Sequence, residues 1–78
     1  MPRKVASPRR IQEEIGAIVN ADPDFAADNL ILRIGPPQKH EEDETGCNWN
    51  VDYVPNHPGH MGLILNAIAQ VRANFNLP

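Results

Sequence analysis

The sequence predicts a small single-domain α+β protein in the order α-β-β-α, an antiparallel hairpin with helices packed on one of its faces. Three patterns carry that reading. Ile11, Ile15, Ile18 and Val19 recur at the spacing of one helix face. Cys47, Trp49, Val51 and Tyr53 alternate with Asn48, Asn50 and Asp52, the period of a strand with one dry and one wet side. Met61, Ile64, Leu65, Ile68, Val71 and Phe75 then fall on one side of a second long helix at about 100° per residue.

In chain order, residues 1–7 read as a flexible basic segment and residues 8–78 as the single α+β domain. Ser7 followed by Pro8 is a helix start, because Ser caps a free N–H and Pro is preorganised for the first turn. That helix is expected to end near Asn20. Arg9 and Arg10 stand in its first turn, where the macrodipole disfavours cations, and a phosphate ligand would explain them. Asp22-Pro23 repeats the cap-and-start pair ahead of a short turn that tucks Phe25 inward.

Leu30, Leu32 and Ile34 share a face opposite Ile31 and Arg33, which predicts the first hairpin strand, stopped by Gly35-Pro36-Pro37. Residues 35–46, polar and bracketed by glycines, are expected to be a mobile acidic hairpin loop. Placing both apolar sets on one side pairs Ile34 with Cys47, Leu32 with Trp49 and Leu30 with Val51. The opposite face then shows Ile31, Arg33, Asn48, Asn50 and Asp52. Trp49 is expected at the centre of the core, and Cys47 inward and chemically quiet. The second long helix should run from about Pro58 to Asn74, with Leu63 on its outer side and Arg72 either snorkelling to solvent or bonding the last carbonyls.

Composition bounds the function. A chain of 78 residues buries only about 60% of the surface its unfolded form exposes, so help from a partner, a metal or an unusually good core is expected. A single cysteine forms no intrachain disulfide and fits a reducing compartment, so the expected location is cytoplasmic. No apolar run reaches the length of a membrane span and the N-terminus shows no signal-peptide core, so no membrane partner is expected. The net charge of −3 argues against bulk nucleic-acid binding. It conceals a basic N-terminal cluster, Arg3, Lys4, Arg9 and Arg10, and an acidic run, Glu41, Glu42, Asp43 and Glu44.

Few residues suggest chemistry. Cys47, His57 and His60 are the only candidates for a metal site, and they lack the paired ligand spacing of zinc ribbons and fingers. There is no phosphate loop, dinucleotide fingerprint or nucleophile elbow, so no catalytic residue and no cofactor is assigned. The expectation is a small non-catalytic protein-interaction module that associates with itself as a dimer or with a protein partner. A hairpin of two strands is too small to stand alone, and a third strand is not evident. The surface assigned to that role is Ile31, Arg33, Asn48, Asn50, Asp52 and Leu63. The alternatives are a nucleic-acid-binding protein using Arg3, Lys4, Arg9 and Arg10, and a small metal-binding protein or enzyme.

Overall fold

The computed structural model describes residues 3–78. Its elements are β1 (Lys4–Val5), α1 (Pro8–Asn20), α2 (Pro23–Ala27), β2 (Pro37–Lys39), β3 (Trp49–Val51), α3 (Met61–Asn74) and β4 (Phe75–Asn76). The class is α+β, with α1 packed against α3 and the antiparallel pair β2–β3 set against the helices. A second, parallel pair joins the two ends of the chain, with Lys4 opposite Phe75 and Val5 opposite Asn76.

The helix signals act as local chemistry requires. The Ser7 hydroxyl accepts from Arg10 N–H at 3.2 Å, and Pro8 opens the first turn. Ile11, Ile15 and Val19 are fully buried along the inner stripe of α1. Arg9 and Arg10 pair with Glu13 and Glu14 one turn later, at 3.3 and 2.7 Å, which answers the unfavourable dipole without any ligand. The Asp22 carboxylate accepts from Asp24 and Phe25 N–H, and Phe25 enters the core. Asn29, with φ of 55°, turns the chain out of α2 in the left-handed conformation that Asn tolerates.

The hairpin departs from the expected register. Its ladder pairs Pro37 with Val51, Gln38 with Asn50 and Lys39 with Trp49, so the first strand lies inside the stretch expected to be a mobile loop. Leu30–Ile34 keep their alternation, half-buried at Leu30, Leu32 and Ile34 and exposed between, yet they belong to neither sheet. Proline decides the difference. His40 N–H bonds Asn48 C=O at 2.7 Å, so Lys39/Trp49 and Pro37/Val51 are the pairs that exchange no ladder bonds. Pro37 therefore sits where a missing N–H costs no ladder bond. Cys47 and Trp49 are fully buried and Val51 nearly so, but the alternation stops there and Tyr53 is 64% exposed instead of dry. Gly35 belongs to this hairpin: it donates to Tyr53 C=O, and a Cβ on it would lie 2.9 Å from Tyr53 Cβ.

Two further expectations are corrected. Of the segment expected to be flexible, residues 3–7 are not a loose tail: Lys4–Val5 is a strand, Ala6 is buried, and Ala6 N–H bonds Asn76 C=O at 2.9 Å; Met1 and Pro2 lie outside the described residues. This strand and its partner Phe75–Asn76 were both missed, each too short for its alternation to register. The long helix begins at Met61 rather than Pro58 and is rotated from the expected stripe: Ile64, Ala67, Ile68 and Val71 are buried, Leu63 packs half-buried against the core, and Leu65 is 55% exposed. Ala67 is fully buried although its side chain is the least apolar of these four, a placement that hydrophobicity alone does not reveal.

The C-terminal segment locks the layers together. Trp49 Nε1 donates to Phe75 C=O at 2.9 Å. Asn48 grips Leu77 with both amide atoms, donating to its C=O at 2.9 Å and accepting from its N–H at 2.8 Å. Lys39 Nζ reaches Pro78 C=O at 2.8 Å. The hairpin, α3 and the N-terminal strand thus converge on Phe75–Pro78.

Candidate interaction surfaces

The residues assigned to one sheet face do not form one. Asn48 is committed to Leu77, and Leu63 packs against the core. Asn50 and Asp52 are exposed on the hairpin, with Asn50 Oδ1 accepting from Val51 N–H at 2.9 Å. Ile31 and Arg33 are exposed on the irregular segment leading into β2. Gln38, not Ile31, stands opposite Asn50.

The basic cluster is dispersed and engaged. Arg3 donates to Arg72 C=O at the end of α3 and to Thr45 C=O at 2.5 Å. This places a cation at the negative end of the helix dipole. Arg9 and Arg10 are paired along α1, and Lys4 is exposed on β1. Gly46 (φ 85°) leaves room for Arg3, whose Nε would lie 3.3 Å from a Cβ there.

The metal candidates are also separated by role. Cys47 is fully buried, and its thiol donates to Trp49 C=O at 3.3 Å. His57 and His60 both meet the Phe25 ring edge-on, at centroid distances of 5.5 and 5.2 Å. His60 Nε2 lies 2.8 Å from an Asp28 carboxylate oxygen, tying the start of α3 to the end of α2. Among the described residues no three His, Cys, Asp or Glu side chains converge to hold a metal ion.

Asp43 organises the acidic turn. Its Oδ1 accepts from Thr45 Oγ1 at 2.5 Å, Thr45 N–H at 2.9 Å and Cys47 N–H at 3.3 Å. Its Oδ2 meets Arg72 at 3.0 Å, and Arg72 Nε also donates to Trp49 C=O at 3.2 Å. The Thr45 hydroxyl, then the Thr45 amide, hold this carboxyl down at about 2, with Cys47 N–H and Arg72 contributing in the same direction. Within the expected loop, Pro37–Lys39 is therefore strand and Asp43–Gly46 is a bonded turn.

Two surfaces have no internal use. The first is the outer side of α3, where Leu65 is flanked by the exposed residues Gly62, Ala69 and Ala73. Arg72 is the one charged residue of that helix, and it is turned toward Asp43 and Trp49. The second is a groove of about 450 Å³ between α1 and Leu32–Ile34, floored at its middle by Gly16 and Ala17. Sequence reasoning missed both, since it placed Leu65 inside and paired Leu30–Ile34 in the sheet. The weak signal for the first was the near absence of charge from 61 to 74.

The hairpin edges are poorly suited to pairing with another chain. The outer edge of β2 carries Pro37 and Lys39, and on the outer edge of β3 Trp49 C=O and Val51 N–H already have side-chain partners. Pro and Lys are common protections of an edge strand. No family model, curated protein or solved structure matches the chain.

No helix among the described residues is long and apolar enough to cross a membrane.

Proposed function

We propose that this protein is a small non-catalytic interaction module that associates with itself through the outer side of α3. The observation that carries the reading is that side: exposed Leu65 among Gly62, Ala69 and Ala73, with the cations Arg3 and Arg72 bordering only its Ala69–Ala73 end, where each is bonded to its own neighbours. Residues near the axis of a two-fold dimer face their own copies, so a charge there would meet its like. The exposed side of α1, with Arg9, Arg10, Glu13 and Glu14, is the contrasting case of a solvated helix face. Small residues on α3 allow two helices to approach closely, which favours ridge-into-groove packing.

Magnitude sets the strength. A helix of 14 residues is about 21 Å long. Its face covers a few hundred Å², well under the roughly 800 Å² per partner of a stable interface. The dimer is therefore weak and reversible, populated at high micromolar protein. Leu65→Glu places two carboxylates against each other across the axis and leaves the core untouched. Sedimentation velocity across a concentration series should show a reversible shift for the parent and a monomer for Leu65→Glu with unchanged helix content. Identical sedimentation of the two chains would reject the interface.

A further inference from the structure

The geometry points to a second binding site, independent of the α3 surface: the groove between α1 and Leu32–Ile34 takes an extended peptide of acidic and β-branched character, which adds to Leu30–Arg33 as a strand.

Three observations converge on that ligand. Leu30–Ile34 alternate in burial as a strand does, yet among the described residues no hydrogen bond reaches the main-chain N–H or C=O of Leu30 to Arg33. Only Ile34 C=O is engaged, by Gln12 Nε2 at 3.1 Å. A run of free backbone donors and acceptors beside an open groove is the arrangement that accepts an added strand. The opposite wall is α1 from Arg9 to Asn20; beyond Gln12, which bonds Ile34 C=O, it carries Gly16 and Ala17, small residues that leave room for a backbone. Eleven helical rises give a wall about 16 Å long, the span of about five extended residues.

The side-chain preference follows from pairing. Ile31 is 66% exposed, and Arg33, also exposed, has no ion-pair partner among the described residues. Directly opposed side chains on one face of a strand pair interact, so an acidic residue belongs opposite Arg33 and a β-branched one opposite Ile31. Arg9 adds a second cation on the groove wall, shared with Glu13 at 3.3 Å. With Glu13 on the same wall and paired to Arg9, Arg33 leaves the groove with a net positive charge in a chain whose net charge is −3, which favours an anionic ligand there.

The probe is the acetylated heptapeptide Thr-Glu-Val-Val-Val-Glu-Thr, which presents the same Glu-x-Val-x-Glu face in either strand direction. It is titrated against the Leu65→Glu chain, so that self-association does not enter, with binding read from amide spectra. The expected result is saturable binding with shifts at Ile31–Arg33 and Gly16–Ala17, and slowed amide exchange at Ile31–Arg33. Gly16→Leu should weaken binding by roughly tenfold or more (about 1.4 kcal/mol). A Cβ at Gly16 meets only Asn20 Nδ2, at 3.7 Å, so that variant keeps the fold while filling the groove. Replacing both Glu of the peptide by Lys should weaken binding several-fold, and Arg33→Glu should reverse that preference. Absence of saturable binding, equal binding by Gly16→Leu, or equal binding of a peptide N-methylated at alternate residues would overturn the proposal. So would an oligothymidylate that displaces the peptide and binds more tightly, which would reassign the groove to nucleic acid.

Discussion

Asn48 illustrates how a polar residue on the wet side of a strand becomes structural. Both of its amide atoms are spent on the main chain of buried Leu77. Asn48→Ala leaves that N–H and C=O without their partners, and a buried unsatisfied group costs about 1–3 kcal/mol. Urea denaturation should show a loss of that size, with an unchanged slope. Asp43 makes a different prediction, in pH. Its carboxyl is lowered to about 2 in the folded chain, against about 3.9 when unfolded. A lowered folded value means the contribution is present in full above about pH 4 and is lost as pH falls through the folded value. Asp43→Asn should flatten that part of the stability profile between pH 4 and 2, measured by thermal melts across the range. A variant whose profile keeps the parent's slope in that window would remove Asp43 as its source.

At the scale of elements, the ends of the chain carry more than their lengths suggest. Phe75–Pro78 receives bonds from Trp49, Ala6, Asn48 and Lys39. Deleting those four residues should abolish cooperative melting, whereas deleting only Pro78, which gives up the exposed Lys39 contact, should leave it nearly intact. Circular dichroism melts distinguish the two. The same element explains what was legible beforehand. Ser7-Pro8 and Asp22-Pro23 identify their helices because capping is local chemistry, and Cys47, Trp49 and Val51 identify the dry side of their strand because period two is local as well. The partner of that strand was not legible. Leu30–Ile34 has the better pattern, but Pro37–Lys39 has the position, and pairing across a turn depends on where the chain can close. Asp43 bonding Thr45 and Cys47 fixes that closure. The rotation of α3 was hidden for a related reason: which of Leu63 and Leu65 turns inward depends on how the helix packs on the rest of the core, not on its own sequence.

At the scale of the molecule, those same placements redirect the interaction surface. With β2 and β3 protected at their outer edges, the proposed contact moves to Leu65 on α3, which is exposed along with Val5, Ile31 and Tyr53 elsewhere among the described residues, and the free main chain moves to Leu30–Arg33 beside α1. The core of this 78-residue chain is drawn from its own helices, strands and C-terminal segment. The proposed association through the outer side of α3 buries no residue of that core and adds to it rather than completing it. Dilution should accordingly leave the fold intact, which sets this protein apart from obligate dimers, whose stability depends on concentration.

The most direct measurement is a series of amide and methyl spectra recorded from millimolar protein down to tens of micromolar. The account predicts concentration-dependent shifts at Leu65, Ala69 and Ala73 on the outer side of α3, with Gln38, Lys39 and His40 on β2 and the turn beyond it unmoved. Shifts confined to the β2 edge, or spectra identical at every concentration, would contradict it.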